Sequence, residues 1–236
     1  MTLSYRGLTP RYGSAVSKPA GDEVVLGERR WPMASAVIAA IVLTILLPDE
    51  VRLGPTWLLP AIEGLLLVVV IAGDPGRINR RSRALRAISV ALVFVLAFGT
   101  LWATGQLIDD LIHGGPETNS ASALLEAGSV VWASIILAFA LLYWELDGGG
   151  AAARANRTAG ALDLAFPQQL NPHIGSPNWR PRFIDYLYLG FTNATAFSPT
   201  DVMPLAPWAK ITMAVESVIS LAILGLVIAR AVNVFT

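Results

Sequence analysis

The chain has 236 residues, of which 54% are hydrophobic and 14% charged, with zero net charge and no cysteine. Its apolar residues fall in long blocks, so the chain reads as one membrane domain with no room for a separate soluble enzyme domain. Zero net charge removes the basic-surface argument for a nucleic-acid partner, and the missing cysteines remove disulfides, thiolate metal sites and cysteine nucleophiles.

Residues 1–30 are polar and rich in Gly and Pro, without the short apolar core and cleavage site of a signal peptide, and read as a disordered cytoplasmic tail. Residues 31–146 read as a four-helix membrane region. Its spans are expected at Met33–Leu47, Trp57–Gly73, Ala87–Ile108 and Ala123–Trp144, each a largely apolar stretch close to the length a bilayer needs. A cytoplasmic loop, 147–182, opens on Gly148–Gly150 and carries Pro167, Pro172, Pro177 and Pro181, so it reads as loop or short helix. The region 183–236 holds a short polar-dotted segment, Phe183–Ser198, and the clearest apolar helix, Trp208–Val232.

Arginine placement sets the orientation. The tail carries Arg6, Arg11, Arg29 and Arg30, and the second connection carries Arg77, Arg80, Arg81, Arg83 and Arg86. The third connection has no Lys or Arg but holds Asp109, Asp110 and Glu117. The fold class predicted is therefore an all-α polytopic bundle of six spans with both termini cytoplasmic. Five spans plus a re-entrant helix over Phe183–Ser198 is the alternative.

Acids within the bilayer are costly, which makes them candidates for function. Glu216 lies inside the last apolar helix, with Thr212 and Ser220 four residues to either side and so on one face. That stripe predicts either an ion or proton site or a polar packing contact. Glu63 and Asp185 are the other intramembrane acids, both close to an expected interface. Gly225 and Ala229 form a small-xxx-small pair suited to close helix packing. No metal-ligand or nucleophile motif occurs, so no metal, cofactor or catalytic residue is expected.

Two resemblances follow from particular strings. The second half, through YWELDGGG and FIDYLYLGFTNATAFSPTDVMPL to ARAVN, resembles a family of bacterial integral membrane proteins of unknown function. Within it, Thr195, Asp201, Pro204, Trp208, Lys210 and Gly225 resemble the frame of a potassium-channel pore module: pore helix, filter, turn, inner helix. The resemblance implies an ion-channel-like protein of the bacterial plasma membrane, working as a homo-oligomer or as a subunit of a membrane complex. It also implies Gly225 as an inner-helix hinge. The filter glycines are missing. Phe197-Ser198-Pro199-Thr200-Asp201 stands in their place, and Pro199 with two Cβ-bearing neighbours cannot present stacked inward carbonyls. Any ion path would then run past Thr192, Thr195, Ser198, Thr200, Asp201, Glu216 and Ser220. A non-conducting accessory or scaffold subunit is the first alternative, and a proton-coupled transporter using Glu216 and Glu63 the second.

Overall fold

The computed structural model describes residues 27–78, 82–114, 120–155, 162–171, 173–174, 179–195 and 202–235. They form eight α-helices: α1 (Trp31–Leu46), α2 (Leu58–Gly73), α3 (Arg83–His113), α4 (Ala121–Leu146), α5 (Ala151–Ala155), α6 (Pro167–Leu170), α7 (Phe183–Thr195) and α8 (Pro207–Phe235). A two-residue strand pair joins β1 (Leu164–Ala165) to β2 (Met203–Pro204), antiparallel. Three helices, α3, α4 and α8, are long and apolar enough to cross a membrane, while α1 and α2 are shorter apolar helices. The protein is thus a helical membrane protein, as its composition requires.

Local chemistry sets the helix ends. Pro32 occupies the first turn of α1, where its missing N–H costs nothing. The Ser82 and Ser120 hydroxyls accept from the Leu85 and Ala123 N–H groups and start α3 and α4. The bundle is built around α4, which packs against α1, α3, α7 and α8. Its most apolar stretch is 61% buried, against 22% for the corresponding stretches of α3 and α8. Those two helices turn one face inward and leave Phe94, Phe98, Val218 and Ile228 exposed, as lipid-facing residues should be.

Contacts fix the direction of each helix. Arg30, before α1, forms a salt bridge with Asp74, after α2, at 3.1 Å. Burial pulls the Arg30 pKa below the ordinary arginine value, and the Asp74 carboxylate opposes that shift. Glu28 accepts from the Trp144 indole N–H at 2.9 Å and from the Phe183 backbone N–H at 2.6 Å. The starts of α1, α3 and α7 and the ends of α2 and α4 therefore share one end of the bundle, the arginine end. At the far end a Cβ on Gly114 would stand 3.3 Å from the Arg230 guanidinium, and one on Gly128 would stand 3.0 Å from Val227. So α8 runs from the arginine end to the far end, antiparallel to α4.

This geometry bears on two expectations. β1 lies beside the end of α4, because the Leu164 N–H donates to Asp147 Oδ1 at 3.1 Å. β2 pairs with β1, and the Leu205 N–H reaches the Asp163 carbonyl at 2.8 Å. The chain enters the bundle along α7 and is back at the arginine end by Met203, so the start of α7 and β2 lie at the same end, and six spans are not confirmed. The 13 residues of α7 rise only about 20 Å, short of a hydrocarbon core of about 30 Å. The channel comparison expected a re-entrant helix entering from the side opposite the arginines; α7 enters from the arginine side. In consequence the two ends of the described chain lie at opposite ends of the bundle, not on one side. Most of the expected tail, 1–26, lies outside the described residues. Residues 27–30, assigned to it from sequence, pack into the arginine end instead.

Candidate functional site

Where α7 stops inside the bundle, three helices bring polar side chains together. Glu216 of α8 and Tyr143 of α4 are both fully buried, and Asn193 of α7 is 3% exposed. The Tyr143 hydroxyl donates to Glu216 Oε2 at 2.6 Å, and the Asn193 amide Nδ2 donates to the same oxygen at 2.6 Å and to the Met213 carbonyl at 3.0 Å. The Met213 carbonyl can only accept, which fixes the amide nitrogen toward it and the carboxylate, and the Ser217 hydroxyl donates to Asn193 Oδ1 at 3.1 Å.

A glycine makes room for the cluster. A Cβ on Gly190 would stand 3.1 Å from the Ile136 carbonyl and 3.4 Å from Glu216 Oε1, so α7 lies directly on α4 with the carboxylate beside it. The acid is left half-satisfied among the described residues: Oε2 accepts twice, whereas Oε1 is buried with no hydrogen-bond partner there. Ser220 is on the same face of α8, and its hydroxyl is also fully buried and, among the described residues, without a partner. Among the described residues no cation forms a salt bridge with Glu216. Unpartnered buried oxygens are rare in folded proteins and each costs about 1–3 kcal/mol, so a pair of them marks a place where an ion, proton or water belongs.

The predicted stripe is present in part. Glu216 and Ser220 face the interior together, and the Thr212 hydroxyl bonds back to the Trp208 and Ala209 carbonyls of its own helix while lying beside the Tyr143 hydroxyl. Thr192 and Thr195 behave likewise, donating to the Tyr188 and Phe191 carbonyls at 2.7 and 2.8 Å, so neither hydroxyl joins the carboxylate. Asp185 sits at the arginine end, where Oδ2 accepts from the Arg182 N–H at 2.7 Å and braces the start of α7.

Glu63 is buried on α2, which packs on α1 and α3 and makes no substantial contact with α8. The structure does not unite it with Glu216. Gly225 is exposed, and a Cβ there would meet nothing within 4 Å, so it is not a close-approach point inside the chain; Gly128 and Gly190 take that part. Ser198, Thr200 and Asp201 lie outside the described residues. Sequence reasoning missed Tyr143 and gave Asn193 no role. The signal for both was a hydrogen-bonding side chain inside an otherwise apolar run.

No protein-family model, curated protein or solved structure matches the chain. The chemistry therefore rests on the cluster itself. Its donor set is one carboxylate and one hydroxyl with free lone pairs, suited to a proton or a small monovalent cation. Among the described residues no group of three His, Cys, Asp or Glu forms a metal-binding cluster.

Proposed function

We propose that the protein is an ion-channel-like membrane protein that passes protons or small monovalent cations through a path centred on Glu216, without a potassium-type filter. The observation that carries this reading is the fully buried carboxylate with one oxygen committed and the other free, set where a re-entrant helix ends inside the bundle. Half-helices ending at membrane depth are a recurrent way of presenting ion-binding groups. An unpaired intramembrane acid is a functional site by default.

The membrane arrangement in this reading has α1, α2, α3, α4 and α8 as five crossings, with α7 entering from the arginine end. Arginine enrichment puts that end in the cytoplasm of a bacterial cell. Gly225 and Ala229 are exposed on α8 and leave a shallow face where a second copy packs, which makes a homo-oligomer the working unit. Glu216 is sealed from water within one chain, so permeation needs α7 to move against α8. The same sealing favours the second reading, a non-conducting subunit of a larger membrane complex.

Proteoliposomes separate the two. Purified wild-type chain should dissipate an imposed proton or sodium gradient, and Glu216→Gln should lower that flux at least tenfold while eluting identically in detergent. No flux from the wild-type chain, together with stoichiometric copurification of another membrane protein, would establish the accessory role. For orientation, cysteines replacing Glu50 and Val232 should both react with an impermeant thiol reagent in intact cells, and a cysteine replacing Lys210 should not. Protection at Val232 would overturn the five-crossing arrangement.

A further inference from the structure

A second feature lies at the arginine end, where α7 begins. A cleft of about 870 Å³ opens between the segment before α1, the turn after α2, the end of α5 and the start of α7. Arg29, Arg77, Arg154, Arg180 and Arg182 line it, with Glu28 and Asp185 as its acids, a net charge of +3. Both acids are engaged elsewhere: Glu28 holds the Trp144 indole and the Phe183 N–H, and Asp185 holds the Arg182 N–H.

Three of the arginines, Arg77, Arg154 and Arg180, donate to backbone carbonyls. Arg154 is only 9% exposed, and its Nη1 donates to the Trp144 carbonyl at 2.8 Å and the Asp147 carbonyl at 2.5 Å. Its guanidinium carbon sits 5.0 Å from the Tyr186 ring centre. Among the described residues its Nη2 is buried with no partner. Arg77 donates to the Gly27 carbonyl at 3.1 Å, and Arg180 to the Ala155 carbonyl at 3.1 Å. Among the described residues Arg29, Arg77, Arg154 and Arg182 form no salt bridge. Carbonyls orient a guanidinium without cancelling its charge; Arg154 also lies near the Asp147 and Glu145 carboxylates, and the five arginines against the two lining acids leave the cleft net positive.

We infer that this cleft binds a phosphate-bearing anion. Guanidinium forks match phosphate oxygens in pairs, and several converging arginines are the usual form of such a site. The cleft also runs onto apolar surface: Pro32 and Ile184 line it, and Ile184 is 62% exposed. That combination suits the headgroup and upper acyl chain of an anionic phospholipid at a cytoplasmic membrane face, where basic residues meet anionic lipid. A free phosphate compound offers the same chemistry to the arginines alone.

The full-length protein is purified in a neutral detergent as wild type, as the double variant Arg29→Gln/Arg182→Gln, and as the control Lys210→Gln, which removes a positive charge outside the cleft. Arg29 and Arg182 are exposed, so their removal leaves the buried Arg154 network intact. Retention of phosphatidylglycerol over phosphatidylcholine is read by native mass spectrometry, and inorganic phosphate is titrated against thermal stability. The expected result is at least tenfold loss of phosphatidylglycerol retention in the double variant and none in the control. A phosphate-induced stabilisation lost only in the double variant, without lipid preference, supports the site with a soluble ligand. Equal lipid retention in all three proteins with no phosphate response overturns it. If the double variant elutes aggregated, the single variant Arg182→Gln is read in the same way.

Discussion

Two tyrosine–carboxylate pairs tie α4 to its neighbours, and they differ in what is left over. At the arginine end the Tyr186 hydroxyl donates to Asp147 Oδ2 at 2.5 Å, while Asp147 Oδ1 accepts from the Leu164 N–H. Arg154 lies against the same ring and caps the last carbonyls of α4. Both acid oxygens are used and a cation stands close by. Mid-bundle, the Tyr143 hydroxyl donates to Glu216 Oε2, yet Oε1 has no partner and no cation forms a salt bridge with it among the described residues. One pair closes a structure. The other leaves one buried acid oxygen unpaired among the described residues, the feature on which the proposed ion path rests.

The largest expected effect breaks the closed pair. Arg154→Met removes the cation from Asp147 and the donors from two helix-terminal carbonyls, leaving buried acceptors unmatched. Removing one member of a buried charged network costs about 3–5 kcal/mol. Thermal unfolding in detergent should show a large drop in midpoint or loss of the monodisperse species. A wild-type melting curve would mean that the arginine end contributes little to the fold.

Gly190→Val comes next. Its Cβ would press on the Ile136 carbonyl at 3.1 Å, backbone that cannot swing aside, and the branches would push at Glu216. Overpacking of this kind costs about 1–3 kcal/mol. The expected outcome is lower thermal stability together with lost ion flux, because the re-entrant helix must lift off α4.

Tyr143→Phe sharpens the comparison. It deletes one donor to Glu216 and keeps the ring, with an expected cost of about 1.5 kcal/mol, since Asn193 still serves the same oxygen. Glu216→Gln should move stability by less than about 1 kcal/mol, because an amide oxygen can still accept from Tyr143 and Asn193. Flux should nevertheless fall in both. Stability and flux that change in proportion across these variants would make the carboxylate a packing element only.

How much of this was legible beforehand depends on range. Helix positions are written in contiguous apolar blocks, so α1 to α4 and α8 could be read from sequence within a few residues. The Glu216–Ser220 face follows from four-residue spacing on one helix, and that too was readable. What failed was long-range. Nothing in Phe183–Ser198 states that β2 will pair with β1 across nearly forty residues, and that pairing sends the chain back to its starting side. Arginine counting assigns sides to connections but assumes that every apolar segment crosses. Tyr143 was hidden for a similar reason: its hydroxyl has meaning only once α8 lies beside α4. The role of Gly225 is open for the same reason, because spacing shows that a residue is small without showing what it faces.

Gly225→Ala should give the smallest effect, and its sign is informative. The position is exposed on α8 with no atom near an added Cβ, so alanine fits without displacement. Alanine is favoured over glycine in a helix interior by about 0.5–1 kcal/mol, chiefly because glycine gives up more freedom when the helix forms. An isolated chain should therefore become slightly more stable. If Gly225 works as a hinge, flux would change although stability rises; if a second copy packs against it, the dimer fraction in detergent would fall by several-fold while the monomer melts higher. A variant with raised stability, unchanged assembly and unchanged flux would place the working part of α8 wholly on its buried face, at Glu216 and Ser220, and remove both roles from Gly225.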